Sequence, residues 1–244
     1  MQLLVSVRHG AEAAAALDGG ADIVDAKEPA RGSLGPVSPE VLLAIATRVP
    51  ESVPLSAALG DFTAPDAVRR AVTGAAVPGR RAPTYVKLGF AGERSEAAVT
   101  SLVAAAIDAA AAMPVQAIVV PVAYADHESA GSPVPEAVLR AATAAGARAF
   151  LVDTYVKNGR GLLDRIALER LRTLSADARS AGLLLAIAGS LDLATLDQIA
   201  GIADVIGVRG AACRGGRGGS VEGALVRRLR DRLGGGLPLL STAG

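Results

Sequence analysis

Tryptophan is absent from this chain, and phenylalanine and tyrosine supply three residues each of the 244. A core cannot be organised around large rings, so it must be built from Ala, Val, Leu and Ile. At 51% hydrophobic residues there is enough of these to bury a sizeable interior, which excludes a disordered chain. Cysteine occurs once, at Cys213, which excludes an intramolecular disulfide framework and fits a reducing cytoplasm. Two histidines, His9 and His127, with one cysteine argue against a zinc site. Neither sign of charge is in excess: 25 Lys+Arg face 24 Asp+Glu, so bulk electrostatics point to no nucleic-acid or membrane partner. Long apolar runs are missing too. The Ala-rich stretch 97–113 is broken by Asp108 and has a helical period, so no membrane span is read. The first eight residues carry no basic region ahead of their apolar run, so no signal peptide is read either. A soluble cytoplasmic protein is expected.

What is present is an alternation. Short apolar runs at 3–7, 23–26, 55–59, 85–88, 115–120, 149–153, 183–188 and 204–208 read as strands, the fifth ended by Pro121. Each is followed by a helix-like run, and Ser38-Pro39 is a strong helix start. Repeated βα units imply parallel strands with right-handed crossovers. Eight of them predict a single (β/α)8 TIM barrel over 1–233, and no G-x-G-x-x-G follows the first strand to favour an open doubly wound sheet. Residues 78–83 read as a basic, proline-rich connector and 234–244 as a flexible tail.

Lysine is the scarcest charged residue. The chain has three, Lys27, Lys87 and Lys157, against 22 arginines. A GC-rich coding bias replaces solvating lysines by arginines at no cost in solubility. It cannot replace a lysine that must lose its proton, because Arg stays protonated while Lys shifts its pKa readily. All three fall at or just past a predicted strand end, the face where such barrels place catalytic groups. Asp25 lies two residues before Lys27, hence on the same strand face, and Asp153 ends the sixth strand. The plainest reading is two or three buried ion pairs, for which Arg would serve as well. The sharper one is that crowded ammonium groups depress the pKa of at least one, giving an amine able to form a Schiff base, with Asp25 or Asp153 moving protons.

Gly189-Ser190 after the seventh strand, and Arg209-Gly210-Ala211 after the eighth, offer backbone N–H groups where barrels often bind phosphate. Gly215 to Gly219, with Arg214 and Arg217, reads as an extension of that anion site or as a mobile surface loop, the loop being preferred, and 29–35 reads as a flexible, glycine-punctuated loop. Asp61 reads as a site carboxylate or a helix cap, His9 as facing the mouth or solvated, His127 as surface, Tyr155 as pointing away from its neighbours, and Cys213 as a loop-lining residue.

Several short pieces resemble one family. They are Gly-Gly-Ala-Asp-Ile-Val-Asp-Ala-Lys27-Glu-Pro with Gly32-Ser-Leu-Gly35, Tyr85-Val-Lys87-Leu-Gly, Asp153-Thr-Tyr-Val-Lys157 with Gly161-Leu-Leu-Asp164, Ala188-Gly-Ser-Leu191 and Arg209-Gly-Ala-Ala-Cys213. Together the sequence resembles the (5-formylfuran-3-yl)methyl phosphate synthases of methanofuran biosynthesis, which are (β/α)8 proteins. Glu28 departs from the Asn common among them. The resemblance implies condensation of two glyceraldehyde 3-phosphate molecules with loss of one phosphate and two waters. Lys27 would be the Schiff-base lysine, Lys87, Asp153 and Lys157 would transfer protons and position substrate, and Asp25 would assist. Gly189, Ser190, Arg209, Gly210 and Ala211 would hold the retained phosphate, with no metal or organic cofactor. The alternatives are another Schiff-base aldolase of sugar phosphates, or a barrel that binds a sugar phosphate without catalysis. A homo-oligomer is expected from the Ala-rich outer helices.

Overall fold

The computed structural model describes residues 1–77, 84–113 and 117–234; the connector at 78–83 and the tail beyond 234 lie outside them. Strands and helices alternate: β1 (Gln2–Val7), α1 (Gly10–Asp18), β2 (Ile23–Ala26), α2 (Pro39–Arg48), β3 (Leu55–Asp61), α3 (Pro65–Gly74), β4 (Thr84–Gly89), α4 (Glu96–Ala111) and β5 (Ala117–Tyr124). Then follow α5 (His127–Ala130), α6 (Pro135–Ala144), β6 (Ala149–Asp153), α7 (Leu168–Ser180), β7 (Leu184–Ile187), α8 (Leu193–Gln198), β8 (Val205–Val208) and α9 (Gly223–Arg232). β1 to β8 form one closed parallel barrel in chain order, and β8 closes on β1 from Gln2↔Val205 to Val5↔Val208. This is the expected (β/α)8 architecture. A small antiparallel pair, β9 (Cys213–Arg214) with β10 (Ser220–Val221), projects after β8.

The strands are covered by helices outside and by one another's side chains inside, so most of their residues are buried and they read as nearly continuous apolar runs. Leu3, Val5, Val7, Phe150 and Val152 point outward and pack under the helices through Ala13, Ile45, Val72, Leu102 and Leu174. The opposite parity points into the barrel, and there the polar residues interrupt the pattern: Ser6, Asp25, Ser56, Lys87 and Asp153 are all buried. The helices start where side chains cap them: Ser38 for α2, Ser95 for α4 and Asp192 for α8 each accept a backbone N–H.

β5 departs from expectation. It does not stop at Pro121 but runs on to Tyr124. Pro121 sits where pairing to β4 ends at Leu88 and pairing to β6 begins at Val122, so its missing N–H costs little there. The 29–35 loop also differs from the flexible segment expected. Leu34 is buried against Val120, Val122 and Tyr124 inside the barrel mouth, and a Cβ on Gly35 would lie 2.3 Å from the Glu28 carbonyl oxygen. It is a packed plug, its first turn held by Glu28, which accepts the Ala30 N–H at 2.9 Å.

Candidate active site

The C-terminal mouth of the barrel opens into a cavity of about 430 Å³ that is lined by all three lysines and by Asp153. β2 delivers Asp25 and Lys27 to one face, as their two-residue spacing predicts. Asp25 is fully buried; its Oδ2 accepts from Ser6 Oγ at 2.7 Å and pairs with Lys87 Nζ at 2.7 Å. Burial alone would raise the Asp25 carboxyl, but Lys87 and Lys27 outweigh it and hold the pKa below its ordinary value. Four residues beyond β6, Lys157 turns back on its strand end. Its Nζ lies 2.6 Å from Asp153 Oδ1 and 2.8 Å from Thr154 Oγ1. Asp153 is held down to about 2, because Lys157, Lys27 and the Thr154 N–H overcome its burial.

Lys27 differs from the other two. It is buried, yet among the described residues its amine has no hydrogen bond and no carboxylate within ion-pair distance. Desolvation first, and then repulsion from Lys87, lowers its pKa to about 7; Asp153 and Asp25 oppose the shift without cancelling it. The ion-pair reading therefore holds for Lys87 and Lys157 and fails for Lys27. Each carboxylate fixes one ammonium, and those ammonium groups leave the third amine easy to deprotonate.

Sequence reasoning missed the groups that hold this arrangement. Ser33 Oγ, from the plug, lies 2.8 Å from the Thr154 carbonyl oxygen and 3.3 Å from Asp153 Oδ2. Asp126, just past β5, accepts the backbone N–H groups of Tyr155 at 2.6 Å and Val156 at 2.9 Å, clamping the turn that carries Lys157. Only the inward parity of Ser6 was a readable signal. Removing the clamp with Asp126→Ala leaves two N–H donors unpaired, at about 1–3 kcal/mol of stability. It also frees the Lys157 ammonium to drift, for which a roughly 10- to 100-fold fall in kcat/KM is expected. Thermal unfolding and steady-state kinetics read the two effects separately.

The remaining candidates sort as follows. Gly189 (φ +116°) and Ser190 (φ +53°) line the cavity after β7. Ser190 is the one non-glycine among the described residues with positive φ, a strain that the surroundings must hold. Gly210 and Ala211 open a 3₁₀ turn that also lines the cavity. Arg209 is placed differently from a free phosphate ligand. Its five N–H donors go to Glu12 Oε2 and Oε1 (2.9 and 3.2 Å) and to the carbonyls of Ser6, Arg217 and Gly219. Glu12, equally buried, also takes the Arg8 backbone and side-chain donors. Burial would raise the Glu12 carboxyl, yet these partners keep it low.

Segment 214–220 is no stray surface loop, since it brings Arg217 to the cavity. Asp61 is neither a cavity carboxylate nor a helix cap; it accepts from Tyr124 Oη at 2.8 Å and from the Ala91 N–H, in space left open by Gly89. His9 caps α1 through Nδ1, and His127 begins α5. Tyr155 turns from the lysines to meet Tyr124 edge-on at 5.2 Å. Cys213 is buried, which pushes its thiol pKa up and suits a packing residue. Among the described residues no cluster of ligating side chains could hold a metal ion, and no helix is long and apolar enough to cross a membrane.

Solved structures share this architecture. The phosphoribosyl anthranilate isomerase of Thermus thermophilus superposes with a TM-score of 0.60 at 14% identity, over 96% of this chain and 98% of that one. A 2,3-dimethylmalate lyase superposes at 0.59 with 18% identity, over 85% and 75%. At such identities the likeness is one of fold alone. Sequence comparison reaches further. The (5-formylfuran-3-yl)methyl phosphate synthase of Methanothermobacter thermautotrophicus is 38% identical over 96% of this chain and 99% of its own length. The protein of the same name from Methanocaldococcus jannaschii is 35% identical over 95% and 99%. The family profile described as 4-HFC-P synthase matches residues 3–230. This chain belongs to the 4-HFC-P synthase family and is an enzyme of that kind.

Proposed function

We propose that the enzyme condenses two molecules of glyceraldehyde 3-phosphate into (5-formylfuran-3-yl)methyl phosphate, releasing one phosphate and two waters, through an imine on Lys27. The observation that carries this reading is the Lys27 amine, buried, unpaired and with a pKa near 7, between two carboxylate-bound ammonium groups. A neutral amine attacks an aldehyde carbon, and loss of water from the adduct gives the imine. The imine acidifies the neighbouring C–H, so the enamine formed by losing that proton can attack the aldehyde of the second molecule. Lys87 and Lys157, ion-paired with Asp25 and Asp153, are suited to give protons to departing hydroxyls and developing alkoxides. The carboxylates are suited to take protons back. Gly189, Ser190, Gly210 and Ala211 would receive the retained phosphate through backbone N–H groups. The relatives' names favour this chemistry over another sugar-phosphate aldolase, and the family membership favours it over a barrel that only binds. We place the enzyme in the cytoplasm, where its one free cysteine stays reduced, and in the formation of a methanofuran-type furan.

The test is glyceraldehyde 3-phosphate as sole substrate, with sodium borohydride in a parallel sample. A near-ultraviolet furan aldehyde with equimolar phosphate, and a reduced adduct on Lys27 by intact and peptide mass, are expected. Absence of the aldehyde sinks the synthase reading, and an adduct on Lys87 or Lys157 reverses the roles. The pH profile adds a second check. Because the reactive form of Lys27 is deprotonated, kcat/KM should rise with pH through about 7. In Lys87→Met the nearby cation is gone and Asp25 is left to Lys27, so the rising limb should move to higher pH. A limb that stays in place separates it from Lys27.

A further inference from the structure

Arginine recurs on the β8–β1 side of the mouth in a pattern the imine chemistry does not use. Arg209 Nε donates to the Arg217 carbonyl at 2.8 Å and its Nη2 to the Gly219 carbonyl at 3.0 Å, and Arg8 Nη2 reaches the same Gly219 oxygen at 3.2 Å. Two guanidinium groups, both anchored on the buried Glu12 carboxylate, thus grip the backbone at and just beyond residue 217. The glycines make that shape available: Gly215 and Gly216 have φ of +81° and +74°, and a Cβ on Gly219 would fall on the Arg214 carbonyl oxygen. A loop held this firmly presents its one long side chain in a defined direction.

That side chain enters the cavity and gives one N–H to the Gly32 carbonyl of the plug, at 2.8 Å. Its other donors have no acceptor among the described residues, and no carboxylate lies within ion-pair distance of it. Asp153 is the first attractive charge it senses, but Asp153 already holds Lys157, Ser33 and the Thr154 N–H. A half-buried, pre-positioned guanidinium with spare donors, in a mouth of three lysines and two carboxylates, is built for an anion with several acceptor oxygens.

We propose that Arg217 binds the phosphate of an incoming phosphorylated aldehyde, and that the Glu12–Arg209–Arg8 platform exists to aim it. Arg217 then sets specificity for phosphoester over unphosphorylated aldehydes, and Arg209 is a positioning residue. The proposal rests on the synthase reading for its substrate, but its anion site can be tested without it.

Half-saturating concentrations for borohydride trapping on Lys27 are measured with glyceraldehyde 3-phosphate and with glyceraldehyde, in wild type and R217Q. Arg217→Gln should raise the value for the phosphorylated aldehyde about 10- to 100-fold and leave that for glyceraldehyde unchanged. Arg217→Lys, which keeps charge but loses the fork, should fall between. An unchanged value for the phosphorylated aldehyde, or equal rises for both aldehydes, overturns the proposal. Calorimetry with inorganic phosphate supplies the independent arm: R217Q should bind about tenfold more weakly or lose one binding event, and binding identical to wild type overturns the site. If wild type traps no aldehyde yet binds phosphate in an Arg217-dependent way, the synthase reading falls while the anion site stands. Circular-dichroism melts confirm that the variants are folded.

Discussion

Lys27→Arg is expected to leave a folded barrel that forms no borohydride-trappable adduct and has lost on the order of a thousandfold or more of its activity. The substitution keeps the positive charge and most of the length, but an arginine cannot be deprotonated in a protein, so the nucleophile is gone. A binding-only barrel would tolerate the change, which makes the experiment discriminating. Lys27→Met goes further, because it also changes stability with a sign that the electrostatics dictate. Lys27 has a folded-state pKa of about 7, below its value of 10.5 in the unfolded chain. Between those limits the unfolded chain binds more protons, so wild-type stability rises with pH across that window, and the full penalty of charging a desolvated amine applies below it. Lys27→Met removes that penalty. The variant should be more stable than wild type at pH 6, with the gap closing as pH approaches 10. Urea unfolding at pH 6 and pH 9 measures it, and a gap of equal size at both would show that Lys27 is not desolvated as described. Asp153 acts in the opposite sense. Its pKa is lowered from 3.8 to about 2, so its contribution is present above about 4 and is lost as pH falls toward 2.

Glu12→Gln is expected to be the most destabilising single change outside the apolar core, at about 3–5 kcal/mol. The Glu12 and Arg209 side chains are each 2% exposed, and among the described residues the carboxylate is the only anion that the buried guanidinium meets. Glutamine keeps one acceptor but removes the charge, leaving Arg209 desolvated without compensation. For a chain of this size the melting temperature should fall by roughly 6–20 °C. The double change Glu12→Leu with Arg209→Met should recover much of that loss, since an apolar pair can replace a buried ion pair at little cost. It should not recover activity, because the Arg217 carbonyl loses its Arg209 donor and the Gly219 carbonyl is left with Arg8 alone, itself without its Glu12 anchor. A Glu12→Gln protein that melts within a degree or two of wild type would remove the platform from the account.

The barrel was legible because a strand buried on both faces must be apolar throughout and a helix needs a start signal, and both are local properties. Ile23–Ala26 and Ala149–Asp153 were bounded correctly from their residues alone. Pro121 misled because its cost depends on which neighbour the N–H would have faced, and that is a property of the ladder. The three lysines were legible because, in a chain with 22 arginines, each stands at or just past a strand end. Asp126 and Ser33 were not, since nothing local marks an aspartate that will meet backbone N–H groups 29 and 30 residues away, or a serine that will meet a carboxylate 120 residues away.

The two arginines draw the same line. From the sequence, Arg209 stands at a strand end among small residues and reads as the anion ligand, while Arg217 lies in a glycine-rich stretch that reads as a mobile loop in preference to an extension of that site. Closure of β8 onto β1 brings Arg209 under α1, where Glu12 and three carbonyls take every donor it has. The same contacts lift Arg217 over the mouth. The architecture, the three amines and the two carboxylates follow from periodicity and from what each side chain can do chemically, and so can be read without coordinates. Which amine goes unpaired and which arginine is spent on structure depends on the folded arrangement. Pairing is a competition among groups that the chain brings together across dozens to hundreds of residues, and its outcome is written in distances.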